Sequence, residues 1–298
     1  MYMKKNIAAL RAAVVGAVAV LGMGLAAVPA TAAPLVPLTA LPELPGTAPQ
    51  TTPNGKQIVA FGDSYTAHAG KGGPRGVEPA QTPWAGKCAT DRENWPKLAG
   101  EHLGKTVGDW SCNGMSVDLA LYLEMAIQYG DLGPDTEEVV IMYGGLDPFY
   151  WVDGAVQMVN PGAVNNSSAF RQFLIRVKDR IREVAPQARL TLASYPEYIS
   201  GEMYCPVNFN GVATPIAVPG ASAVQTAMRD TVREAAAGIG ANFIDVFAQS
   251  IGHGTCTPDP AQRWTVGFID SAEHTMPSHP SNAGQQAMGN IVAEGLRG

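Results

Sequence analysis

Charge is scarce in this chain. Only 15% of its 298 residues are charged, and no run of five or more Lys or Arg residues occurs. Twenty basic and 26 acidic residues give a net charge of −6, which disfavours nucleic acid or an anionic membrane surface as the main partner. Hydrophobic residues make up 46% of the chain, enough to bury a sizeable core, so a disordered chain is not expected.

Patterns typical of metal and phosphate sites are also missing. None of the cysteines belongs to a C-x-x-C pair, and the five histidines lack the i,i+4 spacing of a helical zinc site. A glycine-rich stretch from Gly70 to Gly76 lacks the residue order of a phosphate-binding loop. We therefore expect neither a metal nor a cofactor. The 33 glycines and 23 prolines show no triplet repeat, which excludes collagen and predicts long connecting loops.

Residues 1–32 have the organisation of a secretory signal peptide. Lys4, Lys5 and Arg11 precede an apolar run from Ala12 to about Leu25, and Ala30-Thr31-Ala32 is a small-x-small cleavage site. The apolar run is about 14 residues long, shorter than the ~20 residues of a membrane-spanning helix. The sequence thus predicts a secreted protein, extracellular or in the cell envelope, without stable membrane insertion.

Four cysteines remain after this segment, and an even number in an exported chain predicts two disulfides. Three pairings are possible. We expect the sequential one, in which Cys88 pairs with Cys112 and Cys205 pairs with Cys256.

The remaining chain divides into a proline-rich linker, residues 33–55, and one domain, residues 56–298. Four short apolar runs in the domain are typical of buried strands: Ile58–Phe61, Val139–Met142, Leu190–Ala193 and Asn242–Ile244. Helical patterns separate them: Ser116–Tyr129, an apolar face running from Phe170 to Val184, Ser222–Ala237 and Asn282–Leu296. This alternation predicts an α/β fold with a mostly parallel sheet covered by helices on both faces.

In such sheets ligands bind at the carboxyl ends of the strands, so chemistry is expected just after each strand. Gly62-Asp63-Ser64-Tyr65 follows the first strand and could expose a serine hydroxyl on a tight turn, although it also fits an ordinary helix cap. Glycines at 114, 144 and 145 follow two other strands and could present N–H groups to an oxyanion, or simply form turns. His279, before the last helix, could be a general base or a solvated loop residue.

Taken together and in this order, these segments resemble the SGNH or GDSL-like hydrolases, which are esterases and lipases with a flavodoxin-like three-layer α/β/α sandwich. More narrowly, the resemblance is to the secreted actinobacterial lipase/esterase branch. It rests on Gly62-Asp63-Ser64-Tyr65-Thr66, Cys88, Asn94-Trp95-Pro96 and Asp109-Trp110-Ser111-Cys112-Asn113-Gly114. It implies that Ser64 is the nucleophile, that the N–H groups of Ser64 and Gly114 form the oxyanion hole, and that His279 is the base.

Two positions depart from that family's pattern. Leu146 stands where the family has an asparagine that donates to the oxyanion, so either activity is slow or a neighbour such as Asn113 replaces the amide. Met276 stands where the family has the acid that orients the histidine. Some members of the branch use a backbone carbonyl instead, so we expect the Met276 carbonyl to hold His279, with Asp270 and Glu273 as alternative acids.

The resemblance also supports the Cys88–Cys112 pairing, which would clamp the loop after Ser64 to the segment that carries Gly114. The second disulfide, Cys205–Cys256, would tie an insertion, Tyr195–Gly220, to the loop before His279. The aromatic residues of this insertion could line an acyl-binding groove or pack a long loop.

The function implied is a serine esterase or lipase that acts on acyl esters of lipids, glycolipids or sugars. The alternative, motivated by Leu146 and Met276, is a catalytically impaired member of the fold that binds an acyl or glycan ligand of the cell envelope. His274 competes with His279 as base, but the family pattern favours His279. No sequence feature indicates a protein partner, and we expect a monomer.

Overall fold

The computed structural model describes residues 33–41, 49–52, 54–68, 90–114, 118–143 and 167–298, with backbone alone at residues 40 and 167–169. The predicted signal peptide, Cys88 and Leu146 lie outside these residues. A short 3-10 helix, Leu38–Ala40, precedes the domain.

The first half of the domain alternates strands and helices. In chain order the elements are β1 (Ile58–Gly62), α1 (Ser64–Ala67), α2 (Trp95–Leu103), β2 (Val107–Asp109), α3 (Leu119–Gln128), β3 (Glu138–Met142), α4 (Ser167–Val184) and β4 (Arg189–Ala193). The second half contains β5 (Met203–Tyr204), β6 (Val207–Phe209), β7 (Val212–Ala213), β8 (Ile216–Ala217), α5 (Ala221–Ile239), β9 (Asn242–Ile244), α6 (Val246–Ser250), β10 (Ile269–Asp270) and α7 (Asn282–Arg297).

Five strands form one parallel sheet in the order β2-β1-β3-β4-β9. Because successive strand residues point to opposite faces, Val59 and Phe61 pack with helices α3, α4 and α5, whereas Ile58 and Ala60 pack with α2 and α7. Both faces of the sheet are therefore buried beneath helices. The predicted three-layer α/β/α architecture with a parallel sheet is confirmed.

The apolar runs predicted the strand positions to within about one residue, since buried strands of a parallel sheet are apolar throughout. The helix predicted over Ser116–Tyr129 is found as Leu119–Gln128, and its predicted first residues, 116 and 117, lie outside the described residues. Helix α2 was not predicted, because its apolar residues are interspersed with Lys97, Glu101 and His102 over only nine residues. It packs against α7 on the same face of the sheet.

The insertion Tyr195–Gly220 folds into two small sheets. Strands β5 and β8 pair with each other, and β6 and β7 form a second sheet with β10, in the order β10-β6-β7. The predicted disulfide between Cys205 and Cys256 is confirmed, with a Cα–Cα distance of 5.0 Å. Cys112 is also disulfide-bonded, and Cys88, the partner predicted for it, lies outside the described residues.

Part of the proline-rich segment lies against the domain. The Leu35 N–H donates to the Glu124 carboxylate at 2.8 Å, and the Leu35 and Leu41 side chains pack against the core. None of the helices in the described ranges combines the length and apolar character needed to cross a membrane.

Candidate active site

The turn after β1 carries Ser64 at the carboxyl edge of the sheet. Asp63 caps α1, since its Oδ1 accepts the Tyr65 N–H at 2.9 Å. Gly62 is the last residue of β1, where a Cβ atom would lie 2.0 Å from the Thr66 Oγ1 atom and 2.9 Å from the Met142 carbonyl oxygen. Only glycine allows the helix to begin this close to the strand, and this brings the half-buried Ser64 to the edge of the site.

Ser64 and His279 are brought together from 215 positions apart, with the Ser64 Oγ atom 2.7 Å from Nε2 of His279. The other ring nitrogen, Nδ1, lies 2.8 Å from the Pro277 carbonyl oxygen. Because a carbonyl can only accept, Nδ1 carries the proton and Nε2 is free to accept the serine hydroxyl hydrogen. Burial lowers the pKa of His279 and outweighs the opposing effect of the Pro277 carbonyl, so the neutral base is favoured.

The prediction that the Met276 carbonyl holds His279 is wrong, because the carbonyl that faces Nδ1 belongs to Pro277. The physical reason lies in Ser278, which adopts a left-handed backbone with φ of 59°. Its N–H donates to the Gly267 carbonyl at 2.9 Å, which anchors the turn. The chain reverses at Ser278, so the acceptor lies two residues before the histidine rather than three.

The two alternative acids have different surroundings. Asp270 forms a fully buried ion pair with Arg263 and also accepts the Ala272 N–H at 2.8 Å. The Glu273 side chain is exposed. In the described part of the chain neither carboxylate hydrogen-bonds to His279. The competing base, His274, has its Nδ1 atom 2.6 Å from the Ala272 carbonyl oxygen, whereas His279 contacts Ser64.

Gly114 lies on the segment that continues β2 alongside β1. The N–H of Cys112 donates to the Gly62 carbonyl at 2.9 Å, so the backbone two residues later passes the turn of Ser64. Gly114 has φ of 154°, and a Cβ atom there would lie 2.7 Å from Oδ2 of Asp118. Among the described residues, neither the Ser64 N–H nor the Gly114 N–H donates to a backbone acceptor. Asn113, next to Gly114, is exposed.

Other residues of the Asp109–Gly114 segment are structural. The Asp109 carboxylate accepts the Ser111 hydroxyl, and its Oδ2 accepts the Asn94 side-chain amide at 2.7 Å and lies 3.3 Å from Nζ of Lys97. Asn94 and Asp109, which both contribute to the family resemblance, are therefore direct partners. Their contact fixes the end of β2 to the start of α2.

Sequence reasoning missed a tyrosine pair that supports the site. The Tyr195 hydroxyl donates to Oδ2 of Asp63, and the Tyr195 ring stacks on Tyr65 with a centroid distance of 4.7 Å. The Tyr65 ring also lies 5.1 Å from the His279 ring, and its hydroxyl donates to the Ser278 carbonyl at 3.4 Å. Burial raises the pKa of Tyr65 well above its usual value, so its hydroxyl keeps its proton. The sequence feature that could have indicated this pair is Tyr65, the aromatic residue directly after Ser64.

Helix α7 provides a second connection between the two halves of the site. Its Asn282 Oδ1 atom lies 2.8 Å from Nε2 of the buried His68, which ends α1. Gln285, one turn along the helix, donates to the Tyr65 carbonyl at 2.8 Å and accepts the Trp95 N–H at 2.8 Å. These contacts hold α1 against the helix that follows His279. Within the described ranges no three His, Cys, Asp or Glu side chains are close enough to bind a metal ion.

Comparison with known proteins identifies the family of this chain. The model of the GDSL-like Lipase/Acylhydrolase family matches residues 60–287. Lipase 2 of Streptomyces coelicolor is 27% identical over 267 residues, which cover 80% of this chain and 85% of the lipase. An esterase of Streptomyces scabiei is 24% identical over 296 residues, covering 79% of this chain and 84% of the esterase.

Solved structures show the same fold. An extracellular lipase from Streptomyces rimosus has a TM-score of 0.51 and 22% identity, covering 80% of this chain and 97% of its own. Phospholipase A1 from Streptomyces albidoflavus has a TM-score of 0.54 and 20% identity, covering 83% of this chain and all of its own. The parallel sheet, the family match across most of the domain and the relatives from Streptomyces agree with one another. This chain belongs to the GDSL-like lipase/acylhydrolase family, is similar to actinobacterial members of it, and is a carboxylic-ester hydrolase.

Proposed function

We propose that this protein is an exported serine esterase that hydrolyses acyl esters of lipids, glycolipids or sugars, with Ser64 as nucleophile and His279 as general base. The observation that carries the proposal is the chain of two hydrogen bonds, Ser64 Oγ to His279 Nε2 at 2.7 Å and His279 Nδ1 to Pro277 O at 2.8 Å. Export is supported by the signal-peptide pattern of residues 1–32, by the disulfide Cys205–Cys256, and by similarity to an extracellular lipase.

Acylation begins when the Ser64 oxygen attacks the ester carbonyl carbon and its proton passes to Nε2 of His279. The carbonyl oxygen becomes an oxyanion, which accepts hydrogen bonds from the Ser64 and Gly114 N–H groups. The tetrahedral adduct then collapses, the bond to the alcohol oxygen breaks, and His279 returns the proton to the departing alcohol. Ser64 is left as an acyl ester.

Deacylation repeats the same steps with water. His279 removes a proton from the water, the resulting hydroxide attacks the acyl carbon, and Ser64 leaves as the alcohol with the proton from Nε2. During both steps His279 is transiently an imidazolium, with Nδ1 still bound to the Pro277 carbonyl. A neutral carbonyl fixes the tautomer of the histidine as a carboxylate does. It stabilises the positive charge of the imidazolium less than a carboxylate would.

Turnover of short and medium-chain p-nitrophenyl esters tests this proposal. We expect Ser64→Ala and His279→Ala each to lower kcat by about 10⁴- to 10⁶-fold, and the double variant to lose no more than either single variant, because the two residues act as one unit. His274→Ala is the matched control and should retain activity. If His274→Ala loses activity while His279→Ala keeps most of it, the base is assigned to the wrong histidine.

The alternative of an impaired, ligand-binding protein makes a different prediction in the same assay. Purified wild-type protein would turn over the esters no faster than Ser64→Ala, while both would bind an acyl or glycan ligand equally. The pairing of Ser64 with a neutral His279 supports turnover instead. Acetylated sugars, long-chain glycerides and glycolipids assayed side by side then distinguish the substrate classes.

A further inference from the structure

The three-stranded sheet β10-β6-β7 has an unusual distribution of side chains. Phe209 lies opposite Val212, and Ile269 lies opposite Val207, so these four residues share one face of the sheet. The other face carries Asn208 and Asp270, which are buried, and at its edge Ala213, which is exposed. Sheets on a protein surface usually bury their apolar face and expose their polar one.

Polar contacts explain the buried face. The Asn208 side-chain amide donates to the carbonyls of Thr255 and Thr257 at 3.4 Å each, and Asp270 pairs with the buried Arg263. The sheet is therefore held to the domain by hydrogen bonds and an ion pair. Its apolar side chains are not needed for that attachment, which leaves them facing outward.

The outward side is strongly exposed. Phe209, Val212 and Ile269 are 48%, 63% and 56% exposed, and the neighbouring Phe268 is 63% exposed. We call Phe209, Val212 and Ile269 the apolar face, and Phe268, the residue before Ile269 in the chain, borders it. The β6–β7 hairpin that presents two of them turns through Asn210 and Gly211, which both have positive φ, as in the tight two-residue turns that match strand twist. The apolar face is thus presented by a regular hairpin, not by an irregular loop.

The apolar face is connected directly to the proposed base. Gly267, the residue before Phe268, accepts the Ser278 N–H at 2.9 Å, and the Val266 N–H donates to the His279 carbonyl at 3.0 Å. Phe268 also packs edge-on against Tyr204, which in turn accepts a hydrogen bond from Tyr198 at 3.2 Å. A partner that covers the apolar face therefore lies beside the turn that carries Ser278 and His279.

The distribution of charged residues in the sequence limits which kind of partner the apolar face can bind. No Lys or Arg occurs between Arg189 and Arg229, or between Arg263 and Arg297. The exposed acid of the insertion, Glu202, accepts N–H groups at the start of α5, from Gly220 at 2.5 Å and Ala221 at 3.2 Å. The segments that build the apolar face thus carry no positive charge of their own, so they offer an anionic surface no compensating cation.

From the inverted sheet, its position beside His279 and this charge pattern, we propose that the apolar face docks the enzyme on the surface of an uncharged or zwitterionic lipid aggregate. The inference rests on the proposed function and deepens it, because it assigns the acyl-ester substrate to a lipid phase. Docking presents the lipid next to Ser64 and His279. Single exposed apolar residues are common, but three on one face of a small sheet, bordered by the exposed Phe268, mark an interaction surface.

Binding is tested apart from catalysis by using the Ser64→Ala variant. We expect it to sediment with vesicles of phosphatidylcholine, and replacement of half of that lipid by phosphatidylglycerol to bring no gain. The added substitutions Phe209→Asp and Val212→Asp should weaken binding at least about tenfold, since each large apolar side chain contributes strongly when buried. Ile251→Asp is the matched control, because Ile251 is 62% exposed but lies outside the apolar face.

Catalysis supplies the second readout. With Ser64 restored, the Phe209→Asp/Val212→Asp enzyme should hydrolyse a dissolved p-nitrophenyl butyrate at the wild-type rate and an emulsified long-chain ester at least about tenfold more slowly. Circular dichroism checks the fold. If the aspartates disturb it, the milder pair Phe209→Ser and Val212→Thr takes their place.

Three outcomes would overturn the docking proposal. The first is equal vesicle binding by the double variant and the Ile251→Asp control, and the second is binding that depends on phosphatidylglycerol. The third is a wild-type protein that sediments as a dimer while the double variant sediments as a monomer, since a second copy would then occupy the apolar face. Failure of the proposed function looks different. In that case wild type does not hydrolyse even the dissolved ester, whatever the vesicle assay shows.

Discussion

Tyr195 donates a hydrogen bond to the Asp63 carboxylate, which lies 132 positions earlier in the chain. Asp63 and Tyr65 flank Ser64, and the Tyr195 ring stacks on Tyr65 at 4.7 Å. A residue that follows β4 thus holds the turn that follows β1. Because the Tyr65 ring also lies 5.1 Å from the ring of His279, this one tyrosine restrains both members of the proposed pair.

We expect Tyr195→Phe to lower kcat about tenfold with little change in KM, because it keeps the stacked ring but removes the donor to Asp63. Tyr195→Leu also removes the stack, and we expect a loss of about 10²-fold, the size of effect that a misplaced catalytic group produces. Steady-state kinetics on a dissolved p-nitrophenyl ester measures both.

Tyr129→Phe is the matched control for these variants. Tyr129 is buried and its ring lies 6.1 Å from that of Trp110. Like Tyr195 it packs against another aromatic ring, but it lies outside the site. A merely structural role for Tyr195 would lower the unfolding midpoint in urea and leave kcat of the folded enzyme unchanged. That result would remove Tyr195 from the list of positioning residues.

The dependence of kcat/KM on pH follows from the lowered pKa of His279. Only the neutral imidazole can accept the Ser64 proton, so activity falls as the pH drops through the pKa of the folded enzyme. Burial lowers this pKa from its ordinary value of 6.5, and we therefore expect the acid limb to have its midpoint below pH 6.5. A midpoint above 6.5 would mean that a nearby carboxylate, not burial, controls the imidazole.

Asp270→Asn should destabilise the protein without abolishing catalysis. Its carboxylate compensates Arg263, and both side chains are almost completely buried, so removal of one charge costs about 3–5 kcal/mol of unfolding free energy. Activity per folded molecule should stay within about tenfold, whereas loss of a true triad acid costs ~10⁴. Urea unfolding and kinetics below the transition measure the two effects separately.

Glu273→Gln is the control, because the Glu273 side chain is exposed and should affect neither quantity. A 10⁴-fold loss of kcat in either variant, with the fold intact, would assign that carboxylate to His279 and contradict the Pro277 contact.

Gly114→Ala tests the proposed second oxyanion donor. The added Cβ atom would lie 2.7 Å from Asp118 Oδ2 at a backbone φ of 154°, so the peptide must move. We expect kcat to fall about 10²- to 10³-fold with little change in KM, the usual effect of losing one donor. Gly104→Ala is the matched control, since Gly104 also has positive φ, at 63°, but open space around its Cα. Equal kcat in the two variants would exclude Gly114 as a donor.

The sequence by itself determined the layers of the fold and the position of Ser64. Strands β1, β3 and β4 were predictable because they are buried on both faces of the parallel sheet and therefore read as continuous apolar runs, whereas β9 is a partly exposed edge strand. Ser64 was predictable because the Gly62-Asp63-Ser64 turn is local, and the family resemblance pointed to His279.

Only the tertiary structure decided how those residues are held. The left-handed backbone of Ser278, a non-glycine residue with φ of 59°, selects the Pro277 carbonyl over that of Met276, and no local sequence pattern announces such a conformation. The Tyr195–Asp63 and Arg263–Asp270 contacts depend on where separate segments meet. The outward apolar face depends on a three-strand register, because a shift of one residue would reverse which side chains are exposed.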